Sequence, residues 1–342
     1  MTLLYHNREL SKMFSLNVLV NCVLVFFCLF SKVESGQILY PNFDASMLRQ
    51  EGVEGDRIQR KKKYENMDQE LVEAFKKNYE KNVLLQNEGK SPRIPRIIHQ
   101  IWLGGDVPEK YHKWMAGWAS LKGWEYRLWM DKDVKALALH NRDLYELSTN
   151  KGEQSDILRL ELLSQYGGVY VDVDYECINA DIFEELHNQY DFYIGFEPIE
   201  HGVITTRYMF KMCNALIASI PNHPLIKHLI VNMKANYLAY RPFSGALERS
   251  GPSYLTRIIC EYLLNSPDRY RNMYLPSTFF YPFTEKDLMR NIALECLPET
   301  AGIHYWSGSW RTWDWKNKET PKEIGEQEGY VQFNYIKGWD NG

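Results

Sequence analysis

Two carboxylates at the end of an apolar strand are the residues of this sequence best suited to chemistry. Asp172 and Asp174 follow the strand-like run 169–171, and side chains two residues apart in an extended chain point to the same side. Carboxylate oxygens suit Mg²⁺ or Mn²⁺, and such an ion typically fills its remaining positions with water and substrate phosphates. The pair therefore predicts a site where a divalent cation neutralises a diphosphate and stabilises its departure.

A charged helix precedes this strand. The helical pattern of residues 155–166 ends at Gly167 and Gly168, because glycine accepts the left-handed conformation at a helix end. On that helix Asp156 and Arg159 stand three residues apart and project from one face. A charged helix, a double glycine and a strand that runs directly into two acids together favour a catalytic site over a chance pair of acids.

Two other interpretations of the acidic pair remain open at this point. An exposed pair of acids at a strand end is often only solvated. Phosphatases of the haloacid-dehalogenase type, which form an aspartyl-phosphate, also place two such acids after a hydrophobic strand. Their motif continues to Thr or Val two residues on, whereas Glu176 occupies that position here, which weakens the phosphatase interpretation.

The elements that must position these groups alternate between strand and helix. The β-branched run 94–103 predicts a strand, residues 110–121 a helix, and residues 124–130 a second strand with Asp131 as the cap of the next helix. This alternation implies an α/β fold with a largely parallel sheet. Such sheets bind ligands beyond the carboxyl ends of their strands.

The N-terminus carries a hydrophobic segment that we place outside the fold. Residues 14–30 contain no charge and are preceded by Arg8 and Lys12. A helix of this length extends roughly 25 Å against a hydrocarbon thickness of about 30 Å. Residues 1–35 are therefore predicted to be a signal peptide or a signal anchor, which implies membrane association and the secretory pathway. The protein is expected in the Golgi lumen as a type II protein if eukaryotic, and exported if bacterial.

The rest of the chain divides into three predicted regions. Residues 36–90 are expected to form a stem and an amphipathic helix, residues 91–316 the catalytic domain, and residues 317–342 a C-terminal tail. The helical periodicity rests on apolar residues that recur every four positions. These are Leu71, Phe75, Tyr79 and Val83.

Composition excludes several classes of protein. The 342 residues carry 40 Lys and Arg against 44 Asp and Glu, a formal net charge of −4, so the chain has no global electrostatic footprint for nucleic acid. Aromatic residues make up 14% of the chain, enough to stack on flat or ring-shaped ligands as well as to fill a core. Cys177, Cys213, Cys260 and Cys296 form disulfides or remain as free thiols, and the sequence does not decide between these.

At these motifs the chain resembles the DxD-containing family-32 glycosyltransferases, which include initiating mannosyltransferases and the enzymes that mannosylate inositol phosphoceramide. More distantly, it resembles the glucosylating domain of the large clostridial toxins. The blocks that carry the resemblance are residues 97–102, 155–174, 214–224 and 304–310. The resemblance implies a GT-A type nucleotide-sugar-binding domain with a mixed, mostly parallel sheet flanked by helices, and with an N-terminal helical extension. It also implies a nucleotide-diphosphate sugar donor, Mn²⁺ or Mg²⁺, and transfer with retention of anomeric configuration.

The resemblance assigns roles around the metal. Asp174 would ligate the metal directly, Asp172 would contact ribose and a metal-bound water, and His304 would complete the metal or pyrophosphate site. Asp156 and Arg159 would hold the sugar hydroxyls. These residues are the expected catalytic and metal-binding set.

Further residues are expected at the donor. Trp102 would stack on the base, with the backbone of Ile101 or Leu103 reading its edge, and Asn214 would reach the transferred sugar. The residues expected to close over the diphosphate are Ser307, Ser309 and Trp310.

The sequence therefore predicts a metal-dependent retaining glycosyltransferase that moves a hexose, with mannose favoured, from GDP-mannose or a UDP-hexose to a hydroxyl of a lipid, glycan or protein. No side chain identifies itself as a nucleophile, so we expect departure and attack on the same face of the sugar. The alternatives are a module that binds a glycan or sugar nucleotide without turnover and, with less support, a DxD phosphatase.

Overall fold

The computed structural model describes most of the chain between residues 38 and 308. The described ranges are 38–49, 57–85, 92–202, 208–240, 245–266, 269–289 and 294–308. The hydrophobic segment 14–30 lies outside them, as do the predicted tail and the site residues Ser309 and Trp310. Within these ranges no helix combines the length and apolar character that crossing a bilayer requires.

A mixed six-stranded sheet forms the centre of the fold. The strands along the chain are β1 (Ile97–Ile101), β2 (Glu125–Trp129), β3 (Gly168–Val171), β4 (Tyr175–Cys177), β5 (Phe192–Phe196), β6 (Met212–Ser219), β7 (Asn272–Leu275) and β8 (Gly302–His304). Their order in the sheet is β2-β1-β3-β6-β5-β7, while β4 and β8 pair separately. Strand β1 is parallel to β2 and β3, and β5 is parallel to β7, whereas β6 is antiparallel to both of its neighbours.

Helices cover this sheet. They are α1 (Phe43–Met47), α2 (Arg57–Glu65), α3 (Gln69–Val83), α4 (Glu109–Ala119), α5 (Asp131–Val134), α6 (Arg142–Leu147), α7 (Lys151–Tyr166), α8 (Ala180–Gln189), α9 (Pro224–Tyr240), α10 (Ala246–Arg249), α11 (Pro252–Asn265) and α12 (Glu285–Met289). A short 3₁₀ helix spans Ile199–His201. The predicted fold class, a mixed and mostly parallel sheet flanked by helices, is confirmed.

The local predictions agree with these elements except at one cap. Asp131 does not cap α5, because it is the first residue of that helix and its carboxylate accepts the backbone N–H of Gly104 at 2.8 Å. Asp133 instead accepts the N–H of Met130 at 2.9 Å. Asp131 therefore holds the loop that follows β1 rather than the end of a helix.

The N-terminal helices belong to the same hydrophobic core as the sheet. Phe43 and Met47 of α1 are each 2% exposed. The predicted amphipathic helix is confirmed as α3, where the Phe75 ring lies 5.1 Å from that of Phe196 and 5.0 Å from that of Tyr274. The described part of the predicted stem thus packs directly on the sheet.

The double glycine sets the turn from α7 into β3. Gly167 has φ +63° and Gly168 has φ +96°, a region that favours glycine. A Cβ on Gly168 would come within 2.4 Å of the carbonyl oxygen of Ile97 on the neighbouring strand. The tight turn therefore requires glycine, and it brings the charged helix back beside the strand that leads to the acidic pair.

The cysteines of the body are unpaired. Cys177, Cys213, Cys260 and Cys296 are all free thiols, so the question that the sequence left open is answered for each of them. Burial raises the pKa of the Cys213 and Cys260 thiols. They behave as small apolar side chains of the core.

Candidate active site

A two-stranded antiparallel sheet, formed by strands from distant parts of the chain, brings His304 to the acidic pair. After β3 the Asp172 N–H donates to the carbonyl of Ala215 at 2.8 Å, and the chain re-enters as β4. Strand β4 pairs antiparallel with β8, with Tyr175 opposite His304. The His304 Nε2 atom lies 3.3 Å from Asp174 Oδ1 and 3.8 Å from Asp172 Oδ2. Residues predicted from separate parts of the sequence thus meet at the carboxyl end of β3.

These three side chains suit a hard divalent cation. Each of Asp172, Asp174 and His304 offers one ligand atom, and the three atoms lie within 4.8 Å of one another. Carboxylates favour Mg²⁺ and Mn²⁺, and a neutral imidazole adds a nitrogen ligand. The donor set therefore fits the cation that the sequence predicts, with room left for ligands from a substrate.

The electrostatics of the site depend on burial and on close pairing. Burial alone would raise the pKa of Asp174, but the adjacent His304 and the Ser307 N–H, which donates to Asp174 Oδ2 at 2.7 Å, hold that pKa well below its usual range. Burial would lower the pKa of His304, and the Asp174 charge outweighs it and raises that pKa. For Asp172 burial prevails over Arg159, and its pKa is raised. The charges of Asp172, Asp174 and His304 are therefore coupled to one another.

The charged face of α7 meets the same pair. Arg159 Nη2 lies 2.9 Å from Asp156 Oδ1, and its Nη1 lies 3.3 Å from Asp172 Oδ1. Asp156 also accepts hydrogen bonds from the Asn214 amide at 2.7 Å and the Ser250 hydroxyl at 2.9 Å. Burial raises the pKa of Asp156 to about 6, although Arg159 opposes it. Arg159 therefore joins the helix to the acidic pair, and its contact with Asp156 agrees with their predicted position on one face of the helix.

Two residues of this network were not found from the sequence. The Tyr170 hydroxyl donates to Asp172 Oδ1 at 2.6 Å, and the Arg159 guanidinium lies 4.3 Å from the centre of its ring. Tyr170 precedes Asp172 by two residues, and side chains two apart in an extended chain point to the same side. The sequence could therefore have placed Tyr170 beside Asp172. Ser250 follows a short helix far along the chain, and no pattern in the sequence connected it to Asp156.

The loop after β1 forms a second wall. The Trp102 ring lies 5.3 Å from that of Tyr111, and its Nε1 donates to the Asp106 carbonyl at 3.0 Å. The Tyr111 hydroxyl is 3.0 Å from Ser307 Oγ, in the segment that follows β8. Trp102 is partly exposed, as stacking on a ligand requires. Its neighbours are buried, with Ile101 6% exposed and Leu103 8% exposed.

The predicted site residues thus fall into two groups. Those joined by direct contacts around the acidic pair are Asp156, Arg159, Asp172, Asp174, Asn214, His304 and Ser307. Trp102, with Ile101 and Leu103 beside it, is linked to Ser307 through Tyr111. Ser309 and Trp310 lie outside the described residues.

Comparison with known proteins agrees with this geometry. Residues 65–193 match the glycosyltransferase sugar-binding region containing DXD motif. Inositol phosphoceramide mannosyltransferase 1 of Schizosaccharomyces pombe is 26% identical over 186 residues, which cover 52% of this chain and 54% of that protein. Subversion of eukaryotic traffic protein A of Legionella pneumophila is 27% identical over 187 residues, covering 46% of this chain and 28% of that protein. The chain thus spans about half the length of the first of these relatives and less of the second.

Similar solved structures are more distant. The PaToxG glycosyltransferase aligns with a TM-score of 0.39 at 19% identity, covering 60% of this chain and 84% of that one. The catalytic domain of alpha-toxin from Clostridium novyi aligns with a TM-score of 0.36 at 12% identity, covering 70% and 76%. At these scores the likeness adds nothing to the argument from the sheet and the site.

The family match contains Trp102, both residues of the charged helix and the acidic pair, which belong to two of the four blocks that carried the resemblance. It confirms the predicted resemblance to the DxD-containing glycosyltransferases. Residues 65–193 of this chain are thus similar to the sugar-binding region of the DXD-containing glycosyltransferases.

Proposed function

We propose that this protein is a metal-dependent, retaining glycosyltransferase that moves a hexose from a nucleotide-diphosphate sugar to an acceptor hydroxyl. One observation carries the proposal. The ligand atoms of Asp172, Asp174 and His304 lie within 4.8 Å of one another, and the two acids belong to a matched DXD sugar-binding region. The proposed catalytic domain spans residues 91–316.

The metal is proposed to be Mn²⁺ or Mg²⁺. Asp174, Asp172 and His304 would hold it, and the Ser307 N–H keeps the second oxygen of Asp174 in place. A bound divalent ion supplies positive charge that neutralises the diphosphate as it leaves. The buried excess of carboxylates gives this role its physical support, because such a cluster is costly without a cation.

The donor would lie between the two walls of the site. Trp102 would stack on the base, with the backbone of Ile101 or Leu103 at its edge. Asp156 and Arg159, which already hold each other at 2.9 Å, would present fixed charges to the sugar hydroxyls. The remaining proposed donor contacts are Asn214, Ser307, Ser309 and Trp310.

A front-face reaction fits the side chains of the site. The carboxylates of Asp156 and Asp172 are both engaged by Arg159, so neither is free to act as a nucleophile. The acceptor hydroxyl would attack on the face from which the diphosphate departs and would give its proton to that diphosphate. Electrostatic stabilisation of the leaving group would then supply most of the rate enhancement.

Donor and acceptor are proposed from the relatives. Several curated relatives are named as inositol phosphoceramide or phosphorylinositol ceramide mannosyl-transferring enzymes, which favours GDP-mannose as donor and a lipid-linked polyol as acceptor. UDP-hexoses, and glycan or protein acceptors, are the alternatives. Residues 1–35 would direct the protein into the secretory pathway and associate it with a membrane.

A panel of GDP- and UDP-sugars tests the proposal. Purified protein is incubated with each sugar in the presence of Mn²⁺ or of EDTA, and thermal unfolding and nucleotide release are measured. We expect one donor to raise the unfolding temperature only with metal, and to be hydrolysed slowly in the absence of an acceptor. The exposed variant Glu146→Gln is the matched control for loss of a carboxylate.

Each alternative gives a different result in the same panel. A binding module would be stabilised by a donor without releasing nucleotide. A phosphatase would release phosphate from a phosphomonoester and ignore the sugar nucleotides. No response to any donor, with or without metal, would contradict the proposed function.

A further inference from the structure

A second buried carboxylate lies at the same edge of the sheet as the acidic pair. Strands β3 and β5 are both antiparallel to β6, so their carboxyl ends meet at one edge. Asp172 directly follows β3, and Glu197 directly follows β5. Glu197 is 7% exposed and is not among the ligands of the proposed metal site.

Glu197 is paired with a histidine. His201 Nδ1 lies 3.2 Å from Glu197 Oε2, and the side chains are 22% and 8% exposed, respectively. The Glu197 N–H donates to the Lys211 carbonyl at 2.8 Å, which fixes the start of this segment. A carboxylate that engages Nδ1 orients the imidazole and leaves Nε2 as the atom that can meet a ligand.

Trp306 connects this pair to the proposed metal site. Its ring lies 4.5 Å from that of His201 and 4.3 Å from that of His304. The indole nitrogen donates to the Phe283 carbonyl at 2.9 Å, so the orientation of the ring is fixed. Trp306 has φ +52°, a conformation that is strained for a tryptophan and that concentrates at functional sites.

A flat apolar ring beside a carboxylate and an imidazole is suited to a polyol. The apolar face of a sugar or cyclitol ring packs on an indole, and its hydroxyls hydrogen-bond to the charged pair. Trp306 as a residue is only partly buried, so some of its surface remains accessible to a ligand.

We propose that Glu197, His201 and Trp306 form the acceptor subsite, which binds a ring-shaped polyol and holds its reacting hydroxyl beside the donor. This inference rests on the proposed function. In the transfer, the hydroxyl oxygen bonds to the anomeric carbon as the bond from that carbon to the diphosphate breaks. The bonding pair and the hydroxyl proton go to the diphosphate, and the Glu197–His201 pair positions the hydroxyl without being consumed.

The test separates donor hydrolysis from transfer. The donor selected by the panel is incubated with Mn²⁺ alone, or with myo-inositol or methyl α-mannoside as the acceptor probe. We expect one of these polyols to accelerate donor consumption by the unaltered protein and to yield a glycosylated product. In Glu197→Gln and His201→Ala, the KM for the polyol should rise at least about tenfold above that of the unaltered protein.

Two further variants make the result specific. His201→Gln keeps a hydrogen-bonding side chain and should recover part of the acceptor KM, whereas a purely structural role would not respond in this way. His140→Ala removes an exposed histidine and should leave both rates unchanged. His201 is partly exposed, so its variants should fold, and the Mn²⁺-dependent thermal shift verifies that they do.

The outcomes distinguish the two proposals. If the unaltered protein consumes no donor, the proposed function fails. If it hydrolyses a donor but neither polyol accelerates consumption, or if the Glu197 and His201 variants keep the original acceptor KM, the acceptor subsite is wrong and the proposed function stands.

Discussion

Two buried ionic clusters of this protein differ in charge balance. The first, which we call the N-terminal cluster, consists of Arg49, Arg60, Glu200 and Asp287. Arg49 is 1% exposed and lies 2.9 Å from Asp287, it also pairs with Glu200, and Arg60 lies 3.6 Å from Glu200. Among the described residues two guanidinium groups therefore meet two carboxylates, so the formal charges of these four side chains balance.

The second cluster, which we call the metal-site cluster, consists of Asp156, Arg159, Asp172, Asp174 and His304. Here three carboxylates share one guanidinium and one histidine. Burial raises the pKa of two of these acids, Asp156 and Asp172, which marks unfavourable crowding of negative charge.

The difference separates structure from function. A neutral buried network needs no ligand, and it fixes the N-terminal segment against the sheet. An acidic network of the same kind costs folding free energy unless a cation joins it, and an arrangement with that cost is expected where a ligand supplies the missing charge. Changes in the first cluster should therefore alter stability, and changes in the second should alter metal binding and turnover.

The largest effect is expected from Asp174→Asn. The substitution removes a metal ligand without changing the size of the side chain, so donor hydrolysis and transfer should fall by about 10³-fold or more. The thermal unfolding temperature without metal should fall, because the Asp174 charge, whose pKa is held low by His304 and the Ser307 N–H, is lost from the folded protein. Steady-state kinetics and a thermal scan measure both, and near-normal turnover would refute the role of this residue.

Arg49→Met should have the next largest effect, and on stability alone. It removes the guanidinium that pairs with Asp287 and Glu200, and removing one member of a buried ion pair costs about 3 kcal/mol or more. Thermal unfolding should show the loss, while donor hydrolysis by the folded protein below the transition should be unchanged. Arg49→Lys keeps the charge and serves as the control; equal activity losses in both clusters would remove the distinction between them.

A smaller effect is expected in the pH dependence of stability. The pKa of Asp156 is about 6 in the folded protein, above its value near 3.8 in an unfolded chain, so the folded state takes up the proton first as the pH falls. Between pH 7 and pH 4 the unaltered protein should therefore gain about 2 kcal/mol of unfolding free energy relative to Asp156→Asn. Denaturant titrations at these two pH values measure the difference, and a relative loss would give the wrong sign.

The smallest effect is expected beside the N-terminal cluster, at its surface. Lys61 and Glu65 lie 3.9 Å apart with side chains 72% and 61% exposed. Such a pair contributes less than about 0.5 kcal/mol. Lys61→Ala should leave the unfolding temperature and the turnover within error of the original. A large loss of stability would show that exposed charges stabilise this protein as much as buried ones do.

Local patterns allowed much of the fold to be predicted. The four-residue spacing of Leu71, Phe75 and Tyr79 gave α3, and the double glycine gave the end of α7. Asp172 and Asp174 were found because a strand, its end and its side-chain direction are all properties of a few consecutive residues. The same holds for the resemblance, whose most specific block is one continuous stretch.

Contacts between distant residues could not be predicted in this way. Arg49 pairs with Asp287 across 238 positions of the chain, and Ser250 reaches Asp156 across 94. The polar residues around Arg49 predicted a stem, because a charged residue in the sequence does not indicate whether it pairs with a distant carboxylate in the folded protein. His304 entered the predicted site only through the resemblance, since its approach depends on the pairing of β4 with β8.

Mn²⁺ binding measured by isothermal titration tests the central claim most directly. The claim is that the metal-site cluster is completed by a divalent cation and the N-terminal cluster is not. We expect one Mn²⁺ per chain for the unaltered protein and for Arg49→Lys, and affinity at least about 100-fold weaker for Asp174→Asn, since each missing ligand costs several kcal/mol. Equal Mn²⁺ affinity in the unaltered protein and Asp174→Asn would contradict the account.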